Sequence, residues 1–419
     1  LSSVLVNFSP DNGVHCFFHT RDISAVCQGL RMTTPETCKS SIDLVKLWAH
    51  ETNRVYRDRL DPSLWSQFDE YRNTVVLTCF RPLEMSEDVK FLENINRSSD
   101  NHIFTHVLSK RGLYESIVDY SAVREAMIQG LTTYNAEAAD DNSDVPRLHM
   151  DLILFDEAVR HVCRISRILK LPKMHPVVLG AVGVGKNSLC RLALFLSDFK
   201  YAELPVWAND SQKYLEHIKK WILSVGLHRK HIGVVLTTSQ SCDPELLKVV
   251  NQLLVADEIP GLFSPQEKES IAEQLHQESN AMSNLNFDKS WAVFLERKRQ
   301  GLRFLFVYTP SEGQFRKSRS HFPALISFTQ LVWMNTWSQA TLEEIGQQRL
   351  DIAQSSISQP VADMAGDPRE PEGEESHDTQ GLGNVSLNAG NNDVTEFAVK
   401  FMADVHQGVG KLNHYIDVH

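Results

Sequence analysis

No cysteine pair sits at CxxC spacing, no histidines follow at zinc intervals, and the seven cysteines are scattered at 16, 27, 38, 79, 163, 190 and 242. An odd, unpatterned set argues against both a disulfide framework and a metal site, and reduced, buried thiols are expected. No apolar run approaches the length of a bilayer span, and no basic segment leads into an apolar stretch and cleavage site at the start. The chain is therefore expected on the cytosolic side, as a piece of something longer. Basic residues are the minority, 42 Lys and Arg against 53 Asp and Glu, and the formal charge of −11 argues against a general nucleic-acid or anionic-membrane surface. What the sequence does have is enough apolar material, 42% of 419 residues, to bury two or three separate cores.

The central stretch is Leu179-Gly180-Ala181-Val182-Gly183-Val184-Gly185-Lys186-Asn187-Ser188, preceded by the apolar run Val177 to Leu179 and followed by a helical pattern from Leu189 to Leu196. Strand, glycine loop, lysine and helix together can hold a polyphosphate. Glycines let backbone N–H groups approach the oxygens, the helix N-terminus adds its positive end, and the lysine reaches the outer phosphates. The match to GxxxxGK[ST] fails one position past the lysine, where Asn187 replaces the hydroxyl that would ligate Mg²⁺, and Ser188 comes one place late. Gly180 to Ser188 are the candidate nucleotide-binding residues, and an inherited turn that only packs the core is the competing reading.

Upstream, Ile42, Val45, Leu47, Trp48, Val55 and Leu60 recur at three- and four-residue intervals and predict an amphipathic helix over 41–60, ended by Pro62. Thr74 to Cys79 reads as a short strand or buried apolar turn, and 113–134 as a helix. A polar cluster over 139–144 predicts a domain boundary. After Pro146 the pattern alternates: a helix carrying Ala158, Val162, Ile165 and Leu169, then buried strands at 177–179, 232–237 and 304–308 separated by helices at 188–197, 210–225 and 244–254. Apolar strands without alternation, divided by helices, imply a parallel sheet covered on both faces. Residues 346–395 turn acidic and rich in Gln, Ser, Pro and Gly, which predicts a disordered insertion. Helical spacing resumes at Phe397, Phe401 and Val405.

Several of these stretches resemble dynein heavy chains. Arg21-Asp22-Ile23-Ser24, Gln28-Gly29 and the run Leu47-Trp48-Ala49-His50-Glu51-Thr52-Asn53-Arg54-Val55-Tyr56-Arg57-Asp58-Arg59-Leu60 are similar to the helical lid of the third AAA+ module. Leu154-Phe155-Asp156-Glu157-Ala158, the glycine loop, Ile259-Pro260-Gly261-Leu262-Phe263, and Phe315-Arg316 before Phe322-Pro323 are similar to the fourth. The resemblance implies an α/β fold: a P-loop AAA+ core with a parallel sheet flanked by helices, preceded by an α-helical lid domain. It divides the chain into the lid and connecting helices (1–138), the P-loop core (139–345), the acidic insertion (346–395) and a helix leading to the coiled-coil stalk (396–419). It implies a segment of a microtubule motor ring in the cytoplasm and cytoskeleton. Its partners would be other modules of the same heavy chain, with intermediate and light chains and microtubules reached through the full-length protein, and neither nucleic acid nor membrane. Leu236-Thr237-Thr238-Ser239-Gln240 resembles the axonemal variant of the second-strand motif with its aspartate lost, so a ciliary axoneme is the implied location.

The same comparison fixes the expected chemistry. Hydrolysis at a P-loop needs Mg²⁺ held by a loop hydroxyl and a second-strand aspartate, and a group that orients water. Asn187, Thr238 and Ser239 stand at those positions, so no metal ligands are expected and Mg²⁺ has no evident holder; Gln240 is the one residue that could position a water. ATP or ADP would be bound weakly or vestigially by Lys186 and the loop amides, with Leu154 and Phe155 against the base, and not hydrolysed. The resemblance also makes Thr309 and Arg21 sensor-like, and Arg316 and Arg319 possible arginine fingers towards a neighbouring module's site, although two of the family's three arginine positions are serine here. Two other readings remain: a non-motor dynein-like structural or assembly protein, and an unrelated P-loop kinase or ATPase.

Overall fold

A computed structural model describes residues 20–60, 62–79, 103–109, 112–117, 120–139, 148–205, 211–256, 258–278, 287–309 and 314–357. The chain divides into two compact units, Leu1–Asn335 and Thr336–His419. In the second, the described element is helix α13 (Gln339–Ile357). The acidic region expected from 346 therefore begins within a helix up to Ile357; the remainder of 346–395, and all of 396–419, lie outside the described residues.

The first unit opens with helices α1 (Thr20–Leu30), α2 (Ser41–Val55) and α3 (Trp65–Cys79), a hairpin of β1 (Ile103–Thr105) and β2 (Glu115–Ile117), and helix α4 (Tyr120–Ala139). Helix α2 begins in a capping box: Ser40 Oγ accepts from Asp43 N at 3.1 Å, and Asp43 Oδ2 accepts from Ser40 N at 3.0 Å. It ends at Val55, and the expected continuation is a 3₁₀ turn at Arg57–Arg59. The strand or turn expected at Thr74 to Cys79 is instead the last part of α3. Phe68, Arg72 and Val76 are buried at four-residue spacing, so the β-branched run sits on one helical stripe rather than on a sheet. Likewise the helix expected from 113 starts only at Tyr120, because 115–117 pairs with β1. Helix α4 ends at Ala139, where the break is expected, and its Tyr134 ring meets Phe195 edge-on at 5.3 Å.

The core follows as α5 (Asp156–Lys170), β3 (His175–Gly180), α6 (Lys186–Leu196), β4 (Lys200–Glu203), α7 (Ser211–His228), β5 (Ile232–Leu236), α8 (Pro244–Ala256), α9 (Pro265–Glu278), α10 (Phe287–Gly301), β6 (Leu302–Tyr308), α11 (Gln314–His321), α12 (Ala324–Ser327) and β7 (Thr329–Met334). Its sheet has the order β4-β5-β6-β3-β7 and is parallel throughout. Every residue of β3, β5 and β6 is buried, as continuous apolar strands under two helix layers must be. The two strands missed by sequence reading are the edges. Strand β4 is the polar Lys-Tyr-Ala-Glu, and β7 alternates buried Gln330, Val332 and Met334 with exposed Leu331 and Trp333.

Lid and core meet at a buried carboxylate. Glu51 on α2 accepts from Arg167 of α5 through Nε at 3.0 Å and Nη2 at 2.6 Å, from Arg54 Nε at 3.0 Å, and from the Tyr114 hydroxyl at 2.8 Å. Gln330 of β7 completes the cluster, its Oε1 accepting from Arg54 at 3.2 Å and Arg167 at 3.4 Å. Burial would raise the Glu51 carboxyl, but Arg167, then Arg54 and His50, together with the Tyr114 hydroxyl, hold it down to about 2. Burial lowers the neighbouring His50 to about 4. Outside this cluster, Asp58 pairs with Arg164 of α5 at 2.7 Å and Arg59 with Asp22 of α1 at 2.8 Å.

Helix α1 crosses this cluster at Gly29, where a Cβ would lie 2.1 Å from Glu51 Oε2 and 2.6 Å from Arg167 Nη2. Gly29→Ala is therefore expected to lower stability by about 1–3 kcal/mol through overpacking, read as a fall in the denaturation midpoint. Glu51→Gln should cost about 3–5 kcal/mol at neutral pH, because two buried guanidinium groups lose their counter-charge. The folded pKa is depressed below the ordinary 4.5, so the carboxylate's contribution is present above about 4.5 and lost as pH falls towards about 2. The melting-temperature gap between wild type and Glu51→Gln should narrow across that window; a constant gap would show that the carboxylate does not carry the effect.

Candidate nucleotide site

The glycine loop spans the end of β3 and the start of α6. Gly183 (φ +86°) and Gly185 (φ +74°) adopt left-handed backbone, which a side chain would strain, and a Cβ at either would face open space. Gly185 is the N-cap of α6 and no side chain caps that end, so the first-turn amides are directed outward, as an anion cradle requires. Val182 stands exposed at the loop's tip and Val184 is buried beneath it. Lys186 folds back over the loop, its Nζ donating to Gly180 O at 2.6 Å and Ala181 O at 2.5 Å. Burial pushes its pKa below the ordinary lysine value. Asn187 is exposed and Ser188 partly exposed on the first turn of α6.

The sheet register lines up the floor of the site. Leu179 pairs with Tyr308 and Leu236 with Phe306, so the ends of β3, β6 and β5 emerge at one edge, where parallel sheets place their ligands. Just beyond them the Thr238 and Thr309 hydroxyls lie 3.4 Å apart, which joins the sensor-like residue to the second-strand motif. Thr237 Oγ1 lies 3.2 Å from Ser239 Oγ and donates to Gln240 Oε1 at 3.2 Å.

Gln240 does not fit the water-positioning role open to it in the sequence. It is buried; its Oε1 accepts from Thr237 N at 3.0 Å and its Nε2 donates to Leu204 O. Both ends of the amide are committed to backbone, tying the loop after β5 to the end of β4.

Leu154 and Phe155, expected against the base, are each 5% exposed at the start of α5. Arg21 is exposed on the first turn of α1. The Arg316 side chain lies outside the described residues. Arg319 is partly buried on α11, and its guanidinium pKa is lowered by burial and by Arg59, with Asp22 acting in the opposite sense. The structure thus gathers Arg319 with the Asp22–Arg59 pair, one residue from Arg21. The expectation of buried thiols holds for Cys163 and Cys190, while Cys27 and Cys79 are exposed.

The loop fits a phosphate chain, and the surroundings do not fit Mg²⁺. Thr238 and Ser239 offer no carboxylate, Asn187 no hydroxyl, and among the described residues no group of three or more His, Cys, Asp or Glu could hold a metal. Sequence reasoning gave no role to the Glu51 cluster. The signal available was Arg167, a charge placed among Ile165, Ile168 and Leu169 on the buried side of α5, a position that demands a buried partner. Gln240→Ala is expected to cost about 1–3 kcal/mol by leaving Leu204 O and Thr237 N unpaired, whereas Ser239→Ala should stay within about 0.5 kcal/mol. Chemical denaturation of the two variants checks this, and equal effects would remove the structural role given to Gln240.

The family described as the P-loop containing dynein motor region D4 matches residues 150–372, and an AAA+ lid domain matches residues 5–88. Among relatives, the flagellar outer-arm dynein alpha chain of Chlamydomonas reinhardtii is 30% identical over 345 residues, covering 80% of this chain and 7% of that one. Dynein axonemal heavy chain 9 of Homo sapiens is 28% identical over 336 residues, covering 79% and 7%. The ciliary dynein beta chain of Tripneustes gratilla is 28% identical over 362 residues, covering 84% and 8%. The chain thus spans less than a tenth of the length of these relatives. The first match covers more than half of the residues, among them the glycine loop and the parallel five-stranded sheet, and the chain belongs to the dynein motor-region D4 family of P-loop AAA+ domains.

Proposed function

We propose that this chain is the part of a dynein heavy-chain ring in which the lid of the third AAA+ module joins the core of the fourth, with a nucleotide site that binds ATP or ADP weakly and does not hydrolyse it. Lys186 and the amides of Gly180 to Ser188 would hold the phosphates, and Leu154 and Phe155 would flank the base. The observation that carries the reading is the composition of the floor. Thr238, Ser239 and Thr309 are neutral, and the Gln240 amide is committed to Thr237 N and Leu204 O. No described side chain there can hold a metal against the outer phosphates or orient a water for in-line attack. The ring segment then transmits or braces motion powered by other modules.

Relatives named axonemal, ciliary and flagellar support a ciliary axoneme as the location. Through the full-length protein the partners would be neighbouring AAA+ modules, intermediate and light chains, and microtubules. Arg319, beside Asp22 and Arg59, would face the preceding module's site together with Arg21 and Arg316, and residues 396–419 would approach the stalk.

Release of γ-phosphate from ATP by the purified chain is expected to remain at background. Metal-dependent release that is abolished by Lys186→Ala would overturn the assignment of a hydrolysis-deficient site.

A further inference from the structure

The sheet edge beside the glycine loop is rich in hydroxyls: Thr237, Thr238, Ser239 and Thr309. In a P-loop site that works with Mg²⁺, carboxylates at the strand ends do two things: they hold the metal, and while the metal is away they repel the phosphates. The metal-bound nucleotide is then the favoured ligand. Here both effects are missing together.

Among the described residues, the ends of β5 and β6 carry hydroxyls in place of acids, with Thr238 and Thr309 at 3.4 Å and Thr237 and Ser239 at 3.2 Å. The first carboxylate after β5, Asp243, is engaged elsewhere, accepting from the Tyr214 hydroxyl at 2.8 Å and from Glu245 N at 3.0 Å. Glu245 in turn pairs with Lys248 at 2.6 Å. The first turn of α6 contains no acid, and its N-cap Gly185 leaves the amides without a side-chain acceptor. Among the described residues, the charge facing the cradle is therefore positive: the Lys186 ammonium and the helix N-terminus. Lys186 is now held by two carbonyls of its own loop, which a phosphate oxygen would outcompete as the stronger acceptor.

We infer that the cradle takes its nucleotide as a metal-free anion, recognising the bare diphosphate of ADP through Lys186 and the loop amides, with the hydroxyls of Thr238 and Thr309 as neutral donors. This rests on the nucleotide reading above and adds which ionic form is bound. Magnesium then becomes a competitor, since it sequesters the ligand in solution and finds no protein oxygens to replace its lost waters.

Titration calorimetry of ADP into the 419-residue chain, once with excess Mg²⁺ and once with excess EDTA, tests it. Affinity in EDTA should exceed that in excess Mg²⁺ by more than about threefold, and binding that is equal or tighter in Mg²⁺ would overturn the inference while leaving a nucleotide site in place. Binding in neither buffer would overturn the nucleotide reading and the inference with it. The double variant Asn187→Thr with Thr238→Asp restores a loop hydroxyl and a strand-end carboxylate, so it should bind ADP about tenfold tighter in Mg²⁺ than in EDTA. A double variant that still binds ADP more tightly in EDTA would overturn the assignment of metal-free binding to these two positions.

Discussion

Glu51 accepts hydrogen bonds from Arg167, Arg54 and Tyr114 in a space closed to water, and each of those donors comes from a different place: the core helix α5, its own helix α2, and the segment leading into β2. A carboxylate so buried is tolerable only while its counter-charges remain, because desolvation would otherwise exceed anything the surrounding packing contributes. Sliding the lid on the core would separate Glu51 from Arg167 and strand both. The pair therefore acts less as a source of net stability than as a lock on geometry, holding α2 to α5. Gly29 lets α1 lie directly over the lock, and Gln330 extends it to the edge strand β7.

That lock also fixes what lies around it. With α2 held, the 3₁₀ turn after it presents Asp58 to Arg164 and Arg59 to Asp22, and Arg319 from the core helix α11 comes into the field of the latter pair. Charged residues that look interchangeable along the lid sequence thus have separate duties. Some close the seam, and some form a rim between lid and core.

The phosphate cradle lies at the opposite extreme of electrostatic design. Around Glu51 one carboxylate is shared by two guanidinium groups and a hydroxyl, while among the described residues at the strand ends no carboxylate meets the Lys186 ammonium, which two loop carbonyls hold. Hydroxyls and one amide fill the floor, and the amide of Gln240 has become a structural tie between β4 and the loop after β5. Under the proposed function such a site would keep the capacity to attract anions and lack the means to activate water.

The sequence by itself determined the central strands and the glycine loop, because each depends on local composition: unbroken apolar runs are buried on both faces, and glycines permit positive φ. It did not reveal the edge strands β4 and β7, whose polar or alternating residues suit one covered face, nor that Thr74 to Cys79 would be helical, which depends on the stripe Phe68, Arg72 and Val76 finding a partner surface. Only the tertiary structure decided the fates of Glu51 and Gln240. A glutamate and a glutamine look solvent-ready in any linear reading. Their burial comes from partners 116 residues away for Glu51 and 36 for Gln240, and no local pattern encodes a hydrogen bond that distant chain segments must fold together to make.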